Sequence, residues 1–192
     1  MADHKIYILF TDTGTLFTKL IKLYTKRKYN HASLSFDAGL MDVYSFGRKQ
    51  MWNPFNGGFV KEDVRRGLFK NASCAIYSLT VTDEQMTKIK SFVQEFINQK
   101  ENYRYNFLGL FGFIMNKPIN RKQALFCSQF VATALETCSI VQFEKPTSLV
   151  APGDLQRLPG LKLEYEGKLK DYHKCIHNDI DYVPISVISI EV

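Results

Sequence analysis

The feature that most limits what this chain can fold into is a helical stripe that begins at a cysteine. In Leu125-Phe126-Cys127-Ser128-Gln129-Phe130-Val131-Ala132-Thr133-Ala134-Leu135-Glu136, residues Phe130, Val131, Ala134, Leu135 and then Cys138 recur at helical spacing. One face of that helix must be buried against another element. Cys127 stands where the stripe starts, after a basic, turn-prone stretch from Asn116 to Gln123. A thiol at a helix N-terminus feels the positive end of the dipole and the unpaired backbone N–H groups, and both favour the thiolate. A buried cysteine also packs well as a small apolar residue. A chemical partner elsewhere in the chain is what separates the two readings.

His31 is that partner. In Tyr29-Asn30-His31-Ala32-Ser33-Leu34-Ser35-Phe36-Asp37, apolar Ala32, Leu34 and Phe36 alternate with Ser33 and Ser35. The pattern predicts a half-buried strand with His31 at its start, on the polar face. Asp37-Ala38-Gly39 then turns the chain into a second run, Leu40 to Phe46, to give a hairpin. A cysteine at a helix start and a histidine at a strand start suit a nucleophile–base pair, which need be adjacent only in the fold. The second imidazole nitrogen wants a fixed acceptor, expected from the paired run. Alternation there puts Asp42, Tyr44 and Phe46 on one face and Met41, Val43 and Ser45 on the other. Asp42 is the stronger acceptor, but it lies near the turn while His31 is at the far end of its strand. Register therefore favours Tyr44, with Asp42 as the alternative and a backbone carbonyl or water as the plain one.

The remaining segments supply a frame. Ile6 to Phe10 reads as a strand, with Thr11-Asp12-Thr13-Gly14 as a turn into a helix over residues 14 to 25. That helix carries Leu16, Phe17, Leu20, Ile21 and Tyr24 on one side and lysines on the other. Such a face either lies on an anionic membrane or is an ordinary solvated surface. Gly47 to Phe59 reads as a long loop carrying Met51, Trp52 and Phe55, a cleft wall or a loop pinned by its own aromatics. Ala75 to Val81 is β-rich. Thr82 and Gln85 form a capping box before a stripe of Met86, Ile89, Val93, Phe96 and Ile97 that ends near Asn98. The stretch 103–115 is the most apolar, and its two glycines and short length point to core packing or a lipid-contacting flap. Pro152-Gly153-Asp154 marks a turn and a short helix that Asp154 caps. Leu161 to Tyr165, and then Lys168 to Tyr172, read as peripheral strands.

Composition narrows the function classes. A chain of 192 residues, 45% hydrophobic and 23% charged, fits one domain, residues 1–192, with a peripheral extension from about 159. A net charge of +6 raises nucleic acid as a partner, yet no zinc spacing, RNA-binding aromatic motif or glycine-rich clamp accompanies it, so none is expected. No signal peptide or membrane-spanning run is apparent, and four cysteines then read as free thiols in a reduced, cytoplasmic setting. His173, Cys175 and His177 alternate in the tail, with Asp179 and Asp181 nearby, but they lack a confirming zinc spacing. No metal or cofactor is assigned.

The order of His31 on a strand and hairpin, then Phe126-Cys127-Ser128-Gln129-Phe130-Val131, resembles the circularly permuted NlpC-like cysteine peptidases of the papain-like fold, the YiiX-like bacterial group in particular. There the nucleophile stands in a Tyr/Phe-Cys-Ser-Glu-Leu-Val motif preceded by a Tyr-Asp-Phe-like stretch, and Tyr105-Asn106-Phe107 holds that place here. The resemblance spans roughly residues 5 to 158 through short motifs in order. Gln129 and Asn106 replace acids of the pattern, so neither is expected to move protons. The Asn-Cys-Glu-His motif of the related lecithin-retinol acyltransferases is missing, which weakens a lipid-acyltransferase reading. The resemblance implies an α+β fold, an antiparallel sheet of about five strands packed against the nucleophile helix. It also implies a thiol hydrolase, peptidase or amidase, and adds Tyr105 as an oxyanion donor beside the Cys127 N–H. The position held by Tyr44 looks to carry His or Glu in such enzymes. Expected substrates are small peptides, amino-acid amides or other acyl compounds. A lipid thioesterase or acyltransferase of the same fold, favoured by the lysine-rich helix, and an idle binding module are the alternatives.

Overall fold

The structure is a computed structural model, and it describes residues 3–12, 27–49, 56–69, 71–106 and 123–172. Its architecture is α+β: a six-stranded antiparallel sheet with helices packed on it. The strands are β1 (His4–Asp12), β2 (His31–Ser35), β3 (Val43–Arg48), β4 (Gly57–Glu62), β5 (Ser73–Val81) and β8 (Lys162–Lys168), in the order β4-β3-β2-β1-β5-β8. Two short strands, β6 (Arg104–Tyr105) and β7 (Ala124–Leu125), form a separate parallel bridge. The helices are α1 (Asp83–Asn98), α2 (Cys127–Thr137) and the four-residue α3 (Pro152–Leu155).

Alternation decides which face each strand buries. Ile6, Ile8 and Phe10 of β1, Ala32 and Leu34 of β2, Tyr44 and Phe46 of β3 and Phe59 of β4 meet the apolar stripes of α1 and α2 in one core. Phe46 is fully buried at the centre, with the Phe59, Phe96 and Phe130 rings 5.6–5.9 Å away. The opposite face is also covered. Leu9, Val43, Cys74 and Ile76 pack there with Leu40, Val64, Leu169 and Tyr172.

Several local expectations hold. The Thr82 hydroxyl accepts from the Gln85 N–H while the Gln85 carbonyl oxygen accepts from the Thr82 N–H, and α1 runs to Asn98. Its Met86, Ile89, Val93 and Phe96 are buried. At α3, the Asp154 carboxylate accepts the Ala151 N–H from one turn inside the helix.

Three expectations need correction. The sheet has six strands where about five were expected, because Gly57–Glu62 also pairs, along β3. The supposed loop 47–59 is shorter than it read, since Gly47 and Arg48 end β3, Gly58 and Gly57 lie directly opposite them in β4, and Phe59 pairs with Phe46. Beyond Lys168, which ends β8, residues 169–172 do not form the second strand expected over Lys168 to Tyr172. The chain turns helically after Lys168, which brings Leu169 and Tyr172, three apart, into the second core. The basic segment 14–25, the apolar residues 107–115, the aromatic residues 51–55 and the tail from 173 lie outside the described residues. Among those described, no helix is long and apolar enough to cross a membrane, and no cluster of three or more potential metal ligands occurs.

Candidate active site

Cys127 is the first residue of α2, and Phe126 before it offers no side-chain oxygen to cap the helix. The first N–H groups of the helix have no acceptor within it and point toward the thiol. The Ala32 and Ser128 N–H groups donate to the Cys127 sulfur. Ser128 turns its own hydroxyl away, to the Val150 carbonyl at 2.8 Å, which fixes the first turn of α2.

His31 opens β2 and is hydrogen-bonded to the Cys127 sulfur through its ring. Its Nε2–H lies 2.7 Å from Glu62 Oε1, which leaves Nδ1 for the thiol. Both groups of this pair are sequestered, the His31 side chain 15% and that of Glu62 5% exposed. The Ser45 hydroxyl donates to Glu62 Oε1 at 2.6 Å and the Ser33 hydroxyl to Oε2 at 2.5 Å. The carboxylate is thus supplied with donors on both oxygens, as a buried charge requires.

The charges reinforce one another. Burial alone would raise the Glu62 carboxyl, but the His31 charge and the bonds from His31, Ser33 and Ser45 hold it below the usual range. Burial would lower His31, yet Glu62 and Cys127 raise it well above the ordinary imidazole value. Burial would raise Cys127, and the His31 charge and bond with the two backbone donors lower it. The His31 and Cys127 directions both favour the thiolate–imidazolium form of the pair. Cys74, with no such partner, is pushed by burial up to about 12.

Tyr105 reaches the same sulfur, and its phenol is hydrogen-bonded to Cys127. The bridge between β6 and β7 sets that distance. Tyr105 pairs with Leu125, two residues before Cys127, flanked by Arg104 N–H to Gln123 O at 2.8 Å and Asn106 N–H to Leu125 O at 2.9 Å. Burial first, and then the Cys127 charge, keep the phenol protonated, hence a donor. On its other side β6 rests on the two glycines of β4. A Cβ on Gly57 would lie 2.8 Å from Tyr105 Cβ, and one on Gly58 would strike the Tyr103 carbonyl oxygen.

Cys127, His31 and Tyr105 therefore converge, while Tyr44 does not join them. Leu34 pairs with Tyr44 and Ser35 with Val43, so Tyr44 shares the core face with Leu34, opposite to His31, Ser33 and Ser35. Its ring stacks on Phe59 at 6.0 Å and lies under the Lys61 ammonium. Asp42 is bonded to Lys61 Nζ at 2.6 Å. The acceptor for His31 is instead Glu62, one strand further out. Little in the sequence points to it beyond two polar residues, Ser33 and Ser45, at inward-alternating positions of β2 and β3. The chain matches no protein-family model, no curated protein and no solved structure.

Proposed function

We propose that this protein is a cysteine hydrolase that cleaves amide or ester bonds of small peptides, amino-acid amides or related acyl compounds through an acyl-enzyme. We further propose that its fold is a permuted NlpC-like form of the papain-like architecture. The base preceding the nucleophile in the chain, and the packing of α2 on the sheet, support the permuted reading. The observation that carries the function is the buried relay from the Cys127 sulfur through His31 to Glu62.

In this reading the thiolate attacks the carbonyl carbon and the carbonyl π-pair moves to oxygen. The Cys127 N–H and the Tyr105 hydroxyl donate to that oxyanion. The imidazolium gives its proton to the departing amine or alcohol, the C–N or C–O bond breaks, and a thioester remains. Neutral His31 then takes a proton from water as the water attacks the thioester, and the sulfur leaves as thiolate. Glu62 keeps its charge throughout; it fixes the ring and stabilises the imidazolium.

The test is hydrolysis of a panel of aminoacyl amides and short peptides by the full chain, with mass spectrometry to trap a thioester on Cys127. Turnover that is lost in Cys127→Ala and in His31→Ala is the expected result. Turnover that survives Cys127→Ala would sink the proposal.

A further inference from the structure

The chain that brings Glu62 to His31 turns back to the same imidazole within seven residues. After β4, the Arg66 N–H reaches the Asp63 carbonyl at 3.3 Å, and the Phe69 N–H reaches the Arg66 carbonyl at 3.2 Å to close a single 3-10 turn, Gly67–Phe69. Gly67, at a φ of 57°, takes the left-handed backbone that this reversal needs. The Ala72 N–H then bonds the Phe69 carbonyl at 2.9 Å, and the Ala72 carbonyl accepts from the Leu169 N–H at 3.0 Å. Phe69 is thus held from both sides of the turn. It is half-buried, leans on the second core, and sets its ring centroid 6.2 Å from that of His31, tilted by 44°. Tyr105 packs against the first core instead. One aromatic therefore stands at the Cys127 end of the Cys127–His31 pair and the other at the His31 end.

We propose that Phe69 is a specificity wall for the leaving group, so that the preferred substrates are amides or esters whose departing amine or alcohol carries an aromatic or other apolar substituent. This rests on the hydrolase reading above. The departing atom must come within hydrogen-bond reach of His31 to take its proton. Its substituent then extends past the imidazole, where the Phe69 ring stands. The acyl group stays on the sulfur, at the Tyr105 end. A half-buried phenyl ring removes apolar area of such a substituent from water and offers it edge-to-face packing. A small or polar leaving group gains neither.

Acetyl thioesters of 2-phenylethanethiol and of ethanethiol test this on the full chain at about pH 7. They share one acyl group, and their leaving thiols are nearly equal in basicity. In each, the Cys127 sulfur bonds to the acetyl carbon, the bond from that carbon to the departing sulfur breaks, and the departing thiolate takes the His31 proton. The readout is the phenylethyl-to-ethyl ratio of thiol release, each rate less that of Cys127→Ala, divided by the same ratio for N-acetylcysteine. We expect the normalised ratio to exceed one by about tenfold or more. Phe69→Ala should return it to about one, and Phe69→Leu, which is apolar but has no ring, should fall between. A second ratio, phenylacetyl to acetyl with ethanethiol leaving from both, reads the acyl side and should keep its wild-type value in Phe69→Ala.

A leaving-group ratio near one in the wild type, a raised ratio unchanged in Phe69→Ala, or an equal loss in both ratios overturns the wall. Should Phe69→Ala fail to fold, Phe69→Leu decides, and a leaving-group ratio equal to that of the wild type overturns it. If Cys127 reacts with neither thioester faster than N-acetylcysteine does, the activated thiolate fails, and with it the hydrolase reading on which the wall stands.

Discussion

At the scale of single residues, burial opposes the charged form of Cys127 and of Glu62 alike, and His31 counters it in both. A lone buried thiol holds its proton, as Cys74 does. Cys127 is just as buried, but the His31 charge and two backbone N–H groups reverse the direction. Iodoacetamide at pH 6, read by mass spectrometry, should therefore label Cys127 in the folded protein while Cys74 and Cys138, both raised by burial, stay unlabelled until the chain is denatured. Glu62 is the residue the sequence hid. Its strand opens with two glycines after a Gly/Pro/Asn-rich stretch that reads as loop. Tyr44 took its place because alternation gives parity along a strand but not which parity faces the neighbour, and the pairing of Ser35 with Val43 settles that. Glu62→Gln keeps the shape and removes the charge. It should lower turnover by about 10²–10⁴-fold and move the Cys127 alkylation profile to higher pH.

At the scale of elements, the position of Tyr105 depends on how closely β6 lies on β4. A methyl group at Gly58 meets a backbone carbonyl that cannot rotate away. Gly58→Ala should cost about 1–3 kcal/mol in unfolding free energy. By shifting Tyr105 it should also slow acylation by up to about 10²-fold, although it alters no group of the relay. Thr82→Ala is the contrasting change. It removes the hydroxyl half of the α1 capping box, for about 1 kcal/mol and about 2–4 °C in midpoint, and should leave Cys127 reactivity as it is. The contrast reflects what was legible. The capping box and the α1 stripe are local patterns within one helix, whereas the glycine contact joins residues that only the folded chain brings together.

At the scale of the whole molecule, the relay ties stability to pH with a definite sign. Glu62 is held below its usual 4.5, so its contribution is full above that value and is lost as pH falls through the lower folded one. His31 is raised above 6.5, so its contribution is full below 6.5 and is lost as pH rises through the folded value. Thermal midpoints of the wild type and Glu62→Gln should thus differ most between about pH 5 and 6.5. The gap should close in acid, where protonated Glu62 resembles glutamine, and narrow again in alkali. A constant gap across pH would show that Glu62 contributes shape alone. The relay also draws on residues 31, 62 and 127, on β2, β4 and α2, in that order along the chain. During synthesis His31 and Glu62 leave the ribosome long before Cys127 does. Cys127 emerges as an ordinary thiol and is shifted toward thiolate only when α2 docks beside His31, so in the proposed enzyme a half-made chain lacks the activated thiol.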